Sequence, residues 1–178
     1  MATTKKAVEH SNNFLYSKCL LEMKVVLLPM EIGENQTKAN LASIIKSHIE
    51  GKCIREGYVR PNSVNIRTYS SGTVKGEYVE FTVVFECYAC YPAEGSVLVD
   101  CLVKSVTKAG IHCNVTDENG NVPVTVFIAR DHFVEKQAFN DITEEHVGKT
   151  IDVKIIGTRF ELNDECVEAV GSIYTKKA

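Results

Sequence analysis

The stretch YVEFTVVFECYACYPAEGSVLVDCLVKSVTKAGIHCNV, Tyr78–Val115, decides the fold. In its first part Val79, Phe81, Val83, Phe85 and Cys87 alternate with Tyr78, Glu80, Thr82, Val84 and Glu86. A period of two marks a strand with one buried face. At YPAEG, Tyr91–Gly95, a proline and a glycine interrupt the pattern. Beyond this joint the apolar runs are short and strand-like. Ahead of it lies a helix. The chain is therefore read as two parts, residues 14–92 and 93–178, preceded by a polar tail, residues 1–13, with nothing apolar to anchor it.

Working back from the joint, CLLEMKVVLLP, Cys19–Pro29, is rich in Val and Leu and ends at proline, which predicts a strand. NQTKANLASIIKSHIEG places Leu41, Ile44, Ile45, His48 and Ile49 on one helical stripe. Asn35 or Thr37 is expected to cap its start and Gly51 its end. KCIREGYV and NSVNIRTY are each expected to be a short strand. The first part is thus a small antiparallel sheet with one helix on a face.

Working forward, SVLVDCLVKSV, KAGIHCNV, VPVTVFI, KTIDVKIIGTRF and CVEAVGSIY are five strands. DENGNV is an Asn-Gly hairpin turn between the second and third. A mixed segment separates the third from the fourth. Five strands with that insertion match an OB-type barrel. The fold class is α+β: sheet and helix first, five-stranded OB barrel second.

Composition narrows the function. The chain has 178 residues and a net charge of −3, with no Trp. Residues 1–92 hold 11 Lys/Arg and 9 Asp/Glu; residues 93–178 hold 9 and 14. The second half is therefore acidic, at −5, which disfavours strong autonomous binding to nucleic acid, whose affinity comes largely from phosphate neutralisation. The polar start and the lack of a long apolar run predict an intracellular protein. An odd number of scattered cysteines, seven, fits reduced thiols better than a disulfide framework.

Three motifs invite chemistry. Cys87 and Cys90 form C-x-x-C, but at the end of a strand and without a second Cys or His pair. Plain strand cysteines are the simpler reading; a redox or zinc role is the alternative. His112 and Cys113 are adjacent. On a strand they point to opposite faces, so they cannot act on each other as nucleophile and base. Cys113 is expected inward and His112 outward, with Gly110 turning the chain between the first two barrel strands. Outward groups on the second and third strands of an OB barrel form the usual nucleic-acid platform. His112, Phe127, Arg130, His132 and Phe133 are the planar or cationic residues there, and bases stack on such groups. Phe127 and Phe133 are equally readable as core or interface residues. No phosphate loop is present: GENQTKAN lacks the G-K-[ST] ending. Neither a metal nor a cofactor is expected, and no enzyme activity.

The order of parts resembles the stalk subunits of multisubunit DNA-directed RNA polymerases, the seventh-subunit family of eukaryotic RNA polymerase II together with its archaeal counterparts. The likeness rests on EGYVRPNSVNIR, on Tyr78–Val115 across the joint, on VFIARDHF and on VEAVGSI. It spans about residues 14 to 175. It implies an RNP-like tip domain and a ribosomal S-one-type OB barrel. It further implies a noncatalytic subunit that docks on the polymerase core by its tip, pairs with a small helical fourth-subunit or F-type partner, places the barrel near nascent RNA and supports transcription initiation. Glu56, Gly57, Tyr58, Val59 and Arg60 would then form the core-docking loop. Tyr58 can instead simply pack on its own sheet. The compartment implied is the nucleus for a eukaryote, or the host cell or virion for a large DNA virus. The alternative is a free-standing OB-fold RNA-binding protein in translation or RNA decay.

Overall fold

The computed structural model describes residues 15–34, 36–130 and 146–174. It divides into two compact units. One comprises Ser17–Tyr91 together with Phe160–Val167; the other comprises residues 15–16, 92–159 and 168–174. The joint at Tyr91–Pro92 lies where the proline is. The return of residues 160–167 to the first unit has no counterpart in a single division of the sequence.

In the first unit β1 (Ser17–Leu27), β2 (Cys53–Ile54), β3 (Gly57–Val59), β4 (Asn65–Tyr69), β5 (Thr73–Lys75) and β6 (Tyr78–Cys90) form one antiparallel sheet. β6 is its axis. β1 pairs with it from Ser17↔Ala89 to Leu27↔Val79. The three short strands share its other edge: β5 at Tyr78–Glu80, β4 at Val83–Glu86 and β3 at Ala89–Cys90. A 13-residue strand can hold such a sheet together because its alternation never breaks. Phe81, Val83, Phe85 and Cys87 are all buried.

The helix α1 (Thr37–Ile49) covers that buried face. Leu41, Ile45 and Ile49 are buried in the same core as Val25, Leu27, Phe81 and Phe85. Each such side chain contributes about 1.5–3 kcal/mol. The expected stripe is too wide: Ile44 is half-buried and His48 is exposed, leaving Thr37, Leu41, Ile45 and Ile49 at a spacing of four. The start also differs. Gln36 is the N-cap and makes no side-chain cap. Thr37 Oγ1 instead donates to the Gly33 carbonyl at 2.8 Å and accepts from the Gly33 N–H at 3.0 Å. Asn35 lies outside the described residues. Gly51 follows the helix with φ +73, the left-handed turn expected there.

KCIREGYV is not one strand. Cys53–Ile54 and Gly57–Val59 are the two arms of a tight hairpin, with Arg55 and Glu56 at its tip. The reason is Gly57. Its φ is +110, and a Cβ on it would overlap the carbonyl oxygen of Cys90. Only glycine lets the hairpin close against the end of β6. Asn163 N–H donates to the Cys53 carbonyl and Cys53 N–H to the Asp164 carbonyl, each at 2.8 Å, so residues 160–167 complete the hydrogen bonding of β2.

The second unit is a closed barrel of β7 (Val97–Val106), β8 (Gly110–Val115), β9 (Val124–Ala129), β10 (Thr150–Arg159) and β11 (Val167–Ile173), in the order β10-β11-β9-β8-β7. It is compatible with an OB-type barrel. Inward positions alternate along β8 and β9: Ile111, Cys113, Val115, Val124, Val126 and Ile128 are all buried. The insertion between β9 and β10 falls mostly on residues 131–145, outside the described residues.

Candidate nucleic-acid interface on the barrel

Alternation along β8 sends Cys113 into the barrel and His112 out. On β9 it sends Val126 and Ile128 in and Phe127 to a half-buried outer position. Phe127 is therefore not a core residue of the barrel. His112 and Phe127 are cross-strand partners. Their ring centroids lie 4.6 Å apart with the planes tilted by 42°. The separation is that of favourable ring contacts, and the tilt lies between the parallel and edge-to-face arrangements.

Gly110 has a different role from the one expected. Its φ is not in the left-handed region, and it is the first residue of β8. The turn is made before it: Gly110 N–H donates to Thr107 Oγ1 at 3.2 Å, and Thr107 N–H donates to the Gly110 carbonyl at 2.9 Å. What requires glycine is the close approach of β9: a Cβ at Gly110 would overlap the Ile128 carbonyl oxygen, with the Phe127 ring next. A Cβ at Gly110 would meet Phe127 Cζ at 2.7 Å and Cε2 at 2.8 Å. The edge of the ring thus lies over bare backbone.

Beside this ring pair is a groove of about 500 Å³, lined by His112, Thr125, Phe127, Thr158, Arg159 and Glu168, with Val170 at its side. Arg159 and Glu168 are cross-strand partners on β10 and β11. Sequence reasoning missed Thr158, Arg159, Glu168 and Val170. A signal existed: in Val167–Gly171 the buried residues 167, 169 and 171 alternate with exposed Glu168 and Val170. Only the closed order, which sets β11 beside β9, brings those outward positions to the same face.

The other expected platform residues separate. Arg130 is exposed just past β9, its N–H donating to the Ala109 carbonyl at 3.0 Å, and it does not line the groove. His132 and Phe133 lie outside the described residues.

The expected docking loop is mostly interior. Gly57, Tyr58 and Val59 are buried, Tyr58 to 4% exposure. Tyr58 sits between Cys53 and Cys90 in the sheet, so as placed it offers no ring to a partner. Arg55, Glu56 and Arg60 carry the accessible surface of that hairpin.

The C-x-x-C cysteines are not a reactive pair. Both are buried. Cys87 lies opposite Cys19 on β1, and Cys90 opposite Tyr58 on β3. Burial pushes each thiol up to about 12, so almost no thiolate exists at neutral pH. Burial likewise pushes Cys101 to about 12 and Cys113 to about 11. Among the described residues, no three His, Cys, Asp or Glu side chains come together as metal ligands. Among them, too, no helix is long and apolar enough to cross a membrane.

The β8–β9 turn holds a feature that the Asn-Gly signal did not foretell. Asp117 is buried. Its carboxylate accepts from Asn119 N–H at 2.9 Å, Asn121 N–H at 2.9 Å, Asn121 Nδ2 and the Tyr16 hydroxyl at 2.9 Å. Burial alone would raise its pKa. The bonds from Asn121, Tyr16 and Asn119 outweigh that and hold it below the usual range.

Compared with known proteins, the chain matches no family model and no curated protein.

Proposed function

We propose that this chain is a noncatalytic stalk subunit of a DNA-directed RNA polymerase. Its first unit would be the RNP-like tip that docks on the polymerase core. Its barrel would be an OB fold of the ribosomal S-one type, set near nascent RNA, with a small helical fourth-subunit or F-type partner completing the stalk. The compartment follows the polymerase: the nucleus, or the host cell or virion of a large DNA virus. The observation that carries the reading is the order of parts. A small antiparallel sheet with one helix is followed, through a short proline-containing joint, by a closed five-stranded barrel. The accessible charged groups Arg55, Glu56 and Arg60 replace Tyr58 as the part of the hairpin that would meet the core.

The test is purification of the chain from its native cells at moderate salt. The largest polymerase subunits are expected in stoichiometric amounts. Elution of the chain alone would refute the proposal.

The groove favours one other reading, a free-standing OB-fold RNA-binding protein. That protein would bind RNA alone at physiological ionic strength, with affinity falling as salt rises. The −5 charge of residues 93–178 opposes it.

A further inference from the structure

We propose that the barrel groove is a subsite for one unpaired guanine, stacked on the His112–Phe127 pair and read by Glu168. The inference rests on the RNA-facing part of the proposed function and adds a base identity to it.

The groove contains both halves of a base-recognition site. One is a planar platform. His112 is exposed, Phe127 is half-buried, and their rings are held together at 4.6 Å. The edge of the Phe127 ring rests over the bare backbone of Gly110. The two rings are tilted by 42° and so offer a base two planar faces side by side, on either of which it can stack; such stacking is tolerant of base identity. The second half is polar. Glu168 and Arg159 face each other across β10 and β11 in the wall of the same groove.

The carboxylate decides which part of a nucleotide can enter. With one carboxylate and one guanidinium the wall carries no net positive charge to hold phosphate, and the surrounding half of the chain is acidic. The groove is therefore suited to a base edge and not to the backbone. A carboxylate only accepts hydrogen bonds, through two oxygens side by side. Guanine alone offers two adjacent ring-edge donors, N1–H and N2–H, to match them. Adenine presents the unprotonated N1 beside its amino group. Uracil flanks its one N–H with two carbonyls, and cytosine has the amino group beside an unprotonated ring nitrogen. Arg159, across from Glu168 in the same wall, would supply guanidinium donors for O6, the guanine acceptor that arginine commonly reads. A groove of about 500 Å³ is within the size range of sites that enclose a small ligand.

The test uses the full chain and four fluorescein-labelled nine-nucleotide RNAs, eight uridines around a central G, A, C or U, with binding followed by anisotropy at low salt. The G-centred RNA should bind at least about fivefold more tightly than the others, the lower end of one good base contact. Glu168→Gln, on an exposed strand position with its fold checked by circular dichroism, should reduce that preference to under about twofold while keeping weak binding to all four. Phe127→Ala should weaken all four alike. Equal affinities for the four RNAs, a preference for another base, or a guanine preference that survives Glu168→Gln would each overturn the subsite. So would the absence of any RNA binding. None of those results bears on whether polymerase subunits copurify, so the two proposals fail separately.

Discussion

His112 on β8 lies directly across from Phe127 on β9, and the edge of the Phe127 ring covers the backbone of Gly110. The three residues form one device: a glycine that leaves room, an aromatic ring that fills it, and an imidazole packed beside that ring on the outer face. Phe127→Ala removes the middle member. It should lower stability by about 1–3 kcal/mol, combining a lost ring pair with lost apolar burial. Urea denaturation should show a reduced midpoint with an unchanged slope. A variant as stable as the parent would mean that the ring does not organise this face.

The hairpin of β2 and β3 depends on Gly57. At φ +110, with the Cys90 carbonyl against its α-carbon, Gly57→Ala imposes backbone strain and a steric overlap together. A loss of about 3 kcal/mol is expected. Gly95→Ala is the control. Its φ is +81, but nothing lies within 4 Å of where a Cβ would sit, so it carries the strain without the overlap and should cost clearly less. Equal losses in the two variants would remove the Cys90 contact as the cause.

Asp117 couples stability to pH. Its folded-state pKa is depressed, so the carboxylate stabilises the fold at pH values above its unfolded value, about 3.9. That contribution is lost as pH falls through the lower folded value. The wild type should therefore lose more stability than Asp117→Asn between pH 5 and pH 3, and the two curves should converge in acid. Tyr16→Phe should narrow the gap in part, since it removes one of the bonds. Parallel curves across that range would contradict the assignment.

The seven thiols should differ sharply. Cys53, Cys87, Cys90, Cys101 and Cys113 are buried, while Cys19 and Cys166 are half-buried. With a disulfide reagent at pH 7.5, the five buried thiols should react only as fast as the protein opens, and all seven at once in guanidinium. Rapid reaction of Cys87 or Cys90 in the native protein would revive a redox role for C-x-x-C.

Much of this was legible in the residues. The alternation of Tyr78–Cys87 foretold a strand with one buried face, though not that it is the axis of the sheet, and the inward Cys113 and outward His112 followed from strand geometry alone. The helix was legible in position but not in width, because His48 is compatible with an apolar stripe by spacing and is excluded only by how far the sheet reaches. Of the two readings of Tyr58, the burial matches the one in which it packs on its own sheet. A glycine–tyrosine pair has the composition of an interface, but Tyr58 lies on a three-residue strand, too short for any periodicity to report its burial.

The sequence alone determined the local geometry: which residues alternate, where proline and glycine end each run, and that a sheet with one helix precedes five strands. These depend on backbone periods of 2.0 and 3.6 residues, which a linear text displays. Only the tertiary structure decided the groove. Phe127, Arg159 and Glu168 share a wall because closure of the barrel sets β9 beside β11 and β11 beside β10. Closure is a property of long-range hydrogen-bond pairing, and residues as far apart in the chain as Phe127 and Glu168 leave no mark of it in any one stretch.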